Sequence, residues 1–259
     1  METQTITITF CEIAENHVGM EKLGIPTEVG FVLGDLLCAK KWFDERGATT
    51  ELLDLNYPIE NINIYPDDEA FLLIIREGVN YLFDNENAND LFDELISLNW
   101  DSKALMYGRV VNKNARHNLC FSNNNQDPNY ESGKGRVISF NSVPLLKKIK
   151  NRLKQVLGDS GSGLVAEGNY YYDVSKCGIG YHGDSERKKV IGVRIGATIP
   201  LVYQWHHKGQ SIGQKMIFEL NHGDIYIMSE KATGNDWKKK NLFTLRHAAG
   251  CAKYTGLLN

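Results

Sequence analysis

The chain opens on a strict two-residue alternation, Thr5-Ile6-Thr7-Ile8-Thr9-Phe10. Period two in β-branched residues predicts a strand. Ile13 to Leu23 has no clear period, and Gly24-Ile25-Pro26 reads as a turn. Between Val32 and Arg46 the apolar positions Val32, Leu33, Leu36, Leu37, Ala39 and Phe43 fall at helical spacing, and Gly47 supplies a stop. Glu51 to Leu55 suits a short strand, and Pro58 and Pro66 bracket a connection. Ala70 to Ile75 is a buried-strand pattern. Asn87 to Leu98 is helical, with Leu91, Phe92, Leu95 and Ile96 on one side and Asn87 or Asn89 as cap. Val143 to Leu157 predicts a basic amphipathic helix lying on a sheet, with Pro144 in its first turn. Beyond Leu164 short strand-like runs recur at Asn169–Tyr172, Val190–Ile195, Leu201–Trp205, Met216–Leu220, Asp224–Met228 and Phe243–His247. Glycines separate them, which argues for a β-barrel or sandwich.

Charge divides the chain. Residues 1–68 hold 13 acidic and 4 basic residues, and residues 69–259 hold 19 and 25, so net charges of −9 and +6 sum to −3. We therefore expect a small acidic α+β appendage at 1–68 and a basic body at 69–259. A basic body attracts an anionic partner; equally, the acidic segment can dock on it. Arg109, Lys113, Arg116, Lys134 and Arg136 flank the polar loop Ser122–Pro128, with Tyr107, Phe121 and Tyr130 nearby. Cations interleaved with aromatics suit single-stranded DNA or RNA. A solvated loop is the plainer reading. The five cysteines are scattered without C-x-x-C spacing, which argues against a disulfide framework or a thiolate zinc site and for an intracellular, cytoplasmic or nuclear protein. The first residues lack a signal-peptide pattern. No apolar run approaches the ~18 residues of a membrane span.

The chemistry concentrates in Tyr181-His182-Gly183-Asp184-Ser185-Glu186. In an extended backbone, residues two apart share a face. His182 and Asp184 thus place an imidazole beside a carboxylate, two ligands of a 2-His-1-carboxylate iron site. An H-x-D triplet alone is common by chance.

An ordered set extends this motif: His182-Gly183-Asp184-Ser185-Glu186, Arg194-Ile195-Gly196-Ala197-Thr198, Leu201-Val202-Tyr203-Gln204-Trp205, His222-Gly223-Asp224-Ile225-Tyr226-Ile227-Met228 and Trp237. In order and spacing it resembles the AlkB-like iron(II)/2-oxoglutarate dioxygenases, over roughly residues 70–259. The resemblance implies a mainly β, α+β fold, with a double-stranded β-helix (jelly-roll) core and flanking helices. It implies Fe(II), with 2-oxoglutarate and O2 as co-substrates, and Asn169-Tyr170-Tyr171 looks like the element whose first and third residues contact 2-oxoglutarate. The region Arg116 to Gly135 stands where the family carries its nucleotide-recognition lid.

The sequence departs from the family at the third ligand, since Lys238-Lys239-Lys240 follows Trp237 where a histidine belongs. His206 and His207 look like surface turn residues. His247, among small residues, is preferred to His222 as that ligand. The family's late arginine suggests Arg246 as clamp for the far carboxylate. Strand neighbours face opposite sides, so Arg246 and His247 both point inward only across a bulge. Otherwise Arg194 is the better clamp, with Lys253 a weaker candidate. The expected site is thus His182, Asp184 and His247 for metal, Asn169, Tyr171 and Arg194 or Arg246 for 2-oxoglutarate, and Arg109, Arg116 and Glu186 towards substrate, with a simple pairing of Glu186 to Arg187 or Lys188 as the alternative for that residue. The expected reaction is hydroxylation or oxidative demethylation of a modified base in nucleic acid. A protein side-chain oxygenase docking through residues 1–68, and a non-catalytic binding domain with a degraded metal site, are the rivals.

Overall fold

The computed structural model describes residues 3–66 and 68–257. In chain order the elements begin with β1 (Thr5–Cys11), β2 (Ile13–Glu15), β3 (Lys22–Gly24), α1 (Leu33–Asp44), β4 (Thr50–Asp54) and α2 (Tyr57–Glu60). They continue with β5 (Phe71–Ile75), α3 (Ala88–Ile96), β6 (Lys103–Met106), β7 (Arg109–Asn112), β8 (His117–Ser122), β9 (Val137–Ser139) and α4 (Pro144–Leu157). The last third holds β10 (Val165–Tyr171), β11 (Gly178–His182), β12 (Val190–Gly196), β13 (Ile199–His207), β14 (Gln210–Leu220), β15 (Ile225–Met228), α5 (Glu230–Thr233), β16 (Thr244–Gly250) and α6 (Ala252–Thr255). The fold is mainly β within the α+β class.

A major sheet of eight strands runs β4-β5-β15-β12-β1-β10-β8-β9, antiparallel throughout except for β8 with β9. A minor sheet of four strands runs β11-β16-β13-β14. One face of the major sheet carries Ile6, Ile8, Ile75, Ile191 and Val193 into a core shared with Leu36 of α1, Leu91 of α3 and Ile149 of α4. The other face carries Leu72, Ile74, Tyr226 and Met228 against Leu201, Tyr203, Trp205 and Leu245 of the minor sheet. The two sheets therefore face each other, with helices behind the larger one.

Local chemistry explains the helix ends. Asn87 caps α3, its side chain accepting from the Asn89 and Asp90 N–H groups, as its sequence position suggests. Pro144 starts α4, and Glu94 of α3 accepts from the orphan N–H groups of Leu145 and Leu146. The β13–β14 hairpin turns through Lys208 and Gly209, both at positive φ, the conformation a tight hairpin needs. This turn lies later than the sequence suggests. His206 is thereby a largely buried strand residue rather than a surface turn residue.

The division at residue 68 does not survive. β1 lies between β10 and β12, paired from Thr5 to Cys11 on one side and from Thr5 to Phe10 on the other. β4 extends the same sheet beyond β5. Leu55 and Ile59 lie in the core between the sheets, and the Trp205 indole donates to the Leu55 carbonyl at 2.6 Å. The described part of residues 1–68 is thus built into the body. The acidic surplus finds partners there, as Glu51 with Arg76 and Glu21 with Lys134.

The basic region Arg109–Arg136 is also more structured than its polar composition suggests. It contains β8, which pairs with β10 on one side and β9 on the other within the major sheet. The Lys113 ammonium is buried and donates to the Asn16 side chain at 2.6 Å, while Asn16 donates to Asp101. Burial pushes the Lys113 amine down to about 8. Arg136 pairs with Asp101 and Asp127. Much of this positive charge is committed inside the fold. Arg109 is exposed on the β6–β7 hairpin, beside Tyr107 at its turn.

Candidate metal centre

Alternation on β1 has an unusual meaning here. Both faces are buried: Ile6, Ile8 and Phe10 enter the helix-side core, while Thr7 and Thr9 line a cavity between the sheets. Glu167, Asn169 and Tyr171 of β10 join the threonines, as do Arg194 of β12 and Tyr226 and Met228 of β15. The minor sheet closes the cavity with Ile179, His182, Leu201, His247 and Ala249. The volume is about 60 Å³, room for roughly four waters at the ~10–15 Å³ each requires.

His182, Asp184 and His247 converge in this cavity, with one ligand atom of each within 4.8 Å of the others. His182 Nε2 is 3.6 Å and His247 Nε2 is 3.9 Å from Asp184 Oδ1. A bulge makes the convergence possible. Ile179 pairs with Ala249 and His182 with His247, so β11 spends three steps where β16 spends two. Ile179 faces the cavity, and strict alternation would turn His182 away from it. The extra residue restores the inward face. The His182 Nδ1–H donates to the Gly180 carbonyl at 2.8 Å. A carbonyl only accepts, so the proton is fixed on Nδ1 and the Nε2 lone pair faces the cavity.

Asp184 lies just beyond β11, its N–H bonded to the Thr233 carbonyl. The turn needs Gly183, where a Cβ would meet the Gly234 carbonyl oxygen at 2.0 Å. Behind Asp184 stands Arg187, buried, 3.8 Å from Asp184 Oδ2 and paired with Glu167 and Glu186. Sequence reading missed Arg187 and Glu167 as supports of the site; a charge next to H-x-D was visible, but its distant partner was not. Glu186 is tied to Arg187 instead of standing free towards a substrate.

The other expected residues are now placed. Asn169, Tyr171, Arg116 and Arg194 line the cavity. Arg246 does not: its neighbour His247 points inward, β13 and β16 pair without interruption, and the guanidinium lies 5.3 Å from the Trp237 ring centre on the outer face. The expected bulge is in β11, not at Arg246. His222 accepts from the Gly196 N–H and serves a turn. Lys253 rests against Tyr254. Arg109, on the β6–β7 hairpin, lies outside the cavity lining.

Electrostatics favour a metal. Burial pushes the His182 imidazole down to about 4 and His247 well below its ordinary value, so both are neutral ligands near neutral pH. Burial raises the Asp184 carboxyl to about 7; Arg187 opposes the rise, and Glu186, Glu167 and Glu12 add to it. Metal binding must therefore displace a proton from Asp184 below that pH. Metal affinity is expected to fall about tenfold per pH unit from about pH 7 down to about pH 5 and to level off above. Cobalt(II) titrations at several pH values read this directly. A flat profile would show that Asp184 is ionised throughout and its burial is offset.

The cavity also contains polar atoms that no protein group satisfies. Arg194 is fully buried, and among the described residues its Nε and Nη1 have no partner; Thr7 Oγ1 and His247 Nδ1 are likewise orphaned. The Asp224 carboxylate is hydrogen-bonded to Arg76, Glu77 and Asn221 and reaches Arg194 only through its charge, and Tyr226, a neutral phenol, is the side chain hydrogen-bonded to Arg194. Unpaired buried cations are costly, so the arrangement calls for an anion.

Fold and cavity together define a two-sheet protein with a metal-competent His-Asp-His group beside an unpaired arginine. No family model matches the chain. It is 57% identical over 251 residues to Uncharacterized protein R156 of Acanthamoeba polyphaga mimivirus, covering 97% of each chain. The chain belongs to the family of that mimivirus protein. No helix among the described residues is long and apolar enough to cross a membrane.

Proposed function

We propose that the protein is an AlkB-like Fe(II)- and 2-oxoglutarate-dependent dioxygenase with a jelly-roll core. The observation that carries this reading is the buried, unpaired Arg194 in the same cavity as the His182, Asp184 and His247 donors. Two imidazoles and a carboxylate on one side of a cavity suit Fe(II) and leave coordination positions open. When bound, iron with 2-oxoglutarate and oxygen supplies oxidising power for C–H hydroxylation, which removes an N-methyl group as formaldehyde.

The chain's own residues have distinct tasks. The Gly180 carbonyl orients the His182 ring, and Arg187 holds the back oxygen of Asp184 so that Oδ1 faces both histidines. Arg194 takes the far carboxylate of 2-oxoglutarate through parallel N–H donors. Thr7, Asn169 and Tyr171 offer further hydrogen bonds from the major sheet. Arg116 is steadied by the Asn169 side chain at 2.5 Å and faces the substrate. We take the substrate to be a modified base in nucleic acid. Docking of a protein substrate through a separable 1–68 module has no support, because that segment belongs to the sheets. The degraded binding-domain reading lacks a motive, since all three donors converge.

Arg194→Met tests the proposal. Two charge-assisted hydrogen bonds at ~1.5–3 kcal/mol each predict a roughly hundredfold or greater loss of 2-oxoglutarate affinity. Cobalt(II) affinity should hold, and the melting temperature should hold or rise, because the change removes an unpaired buried charge. Arg246→Met should alter neither. Unchanged succinate production at low 2-oxoglutarate in Arg194→Met would overturn the assignment.

A further inference from the structure

Among the described residues, cations without a carboxylate partner are not confined to Arg109 and Arg116; a further set lies on the minor sheet. On the outer face of the minor sheet Arg246 stands 5.3 Å and Lys238 5.7 Å from the Trp237 ring centre. Arg246 depresses His206 by its charge, secondary to burial. His206 lies 6.2 Å from Tyr181, and Lys215, whose ammonium donates to the Gly256 carbonyl at 2.9 Å, lies 5.8 Å from Tyr181. Lys208 joins the other end, its N–H bonded to the Lys240 carbonyl. Among the described residues none of Lys208, Lys238, Lys240 and Arg246 forms an ion pair with a carboxylate, and the three lysines are exposed. By contrast Lys113, Lys134 and Arg136 are held by internal partners.

We infer that this outer face is a track for single-stranded nucleic acid. A row of unpaired cations matches the spaced charges of a phosphate backbone. The part-exposed Trp237 ring offers a platform for one unpaired base, and bases locked in a duplex cannot use it. Trp237 also donates to Ser185 Oγ at 2.8 Å, and Ser185 follows the metal ligand Asp184. A strand held here therefore reaches the rim of the metal site. The inference deepens the nucleic-acid part of the proposed function but does not depend on the metal, because binding is read without turnover.

The test uses the full-length protein and fluorescein-labelled oligo(dT). Lys208→Gln/Lys238→Gln/Lys240→Gln should weaken binding at least tenfold at low salt. It should also lower the slope of log affinity against log salt by about 2, at about 0.7 per lost phosphate contact on a single strand. Oligo(dT) should quench tryptophan fluorescence in the wild type, and Trp237→Phe should remove that quenching. Lys103→Gln/Arg109→Gln, on the β6–β7 hairpin, should bind like the wild type. The inference is overturned if the wild type fails to bind at low salt, if the triple variant binds normally, or if the hairpin variant alone loses affinity. Equal binding to phosphatidylserine vesicles without Trp237 quenching would also overturn it, in favour of a lipid surface. A wild type that turns over 2-oxoglutarate but binds no oligonucleotide would sink this surface and leave the oxygenase reading standing.

Discussion

His182→Ala, Asp184→Ala and His247→Ala are each expected to abolish stoichiometric metal binding and 2-oxoglutarate turnover, whereas His222→Ala keeps both. Each of the three residues supplies one of the converging donor atoms, and His222 is spent on the Gly196 N–H. Losing a support behind a ligand already costs about 10–100-fold in affinity, so losing a ligand should cost more than ~100-fold. Metal content after dialysis and cobalt(II) absorption provide the readout. His182→Ala and His247→Ala should be equally damaging, because the bulge places them opposite each other in one ladder. Retention of one metal per chain in all three variants would end the iron reading.

Removal of residues 1–68 is expected to leave no folded protein. The acidic composition suggested a separable unit, but β1 fills the middle of the major sheet. Ile6, Ile8 and Phe10 are fully buried, and at ~1.5–3 kcal/mol each they contribute on the order of 5–9 kcal/mol. That is comparable to the ~5–15 kcal/mol net stability of a typical domain. Deletion also strips β10 and β12 of their shared partner and exposes two interior edges. Near-ultraviolet circular dichroism and thermal melts of the 69–259 chain should show no cooperative transition. Ile8→Asp in the full chain should weaken folding severely by the same logic. A sharp melt of the shortened chain would restore the idea of an appendage.

What the sequence disclosed depended on range. Helices α1, α3 and α4 and most late strands were legible because their periods and caps are local. H-x-D was legible because His182 and Asp184, two of the three converging donors, sit two residues apart. His247 was legible from its small neighbours, which leave room in the cavity. The bulge in β11 was not, since Gly180-Tyr181 carries no distinctive pattern and the need for an extra residue arises only from pairing with β16. β1 was recognised as a strand, yet alternation does not say which face meets solvent; here neither does. Composition misled at residue 68 because charge balance reports surface pairing and not sheet membership. Between β7 and β9 the sign of charge was readable, but Asn16 and Asp101, which hold Lys113 and Arg136 in place, lie outside that stretch and could not be inferred as partners.

The central position of β1 also sets an order of events during synthesis. Thr5 donates its side-chain hydroxyl to the Ile195 carbonyl, 190 residues later. β1 therefore leaves the ribosome long before either of its two neighbours, β10 and β12, exists. Pairings this distant carry a large loop-closure cost and slow folding. Until β12 emerges, an apolar strand edge depends on transient partners or a chaperone to escape aggregation. Refolding should accordingly be slow and concentration-sensitive. The cavity walled by β1, β12 and β16 cannot form before β16 has been made, so the donor set of His182, Asp184 and His247 is assembled late relative to β1.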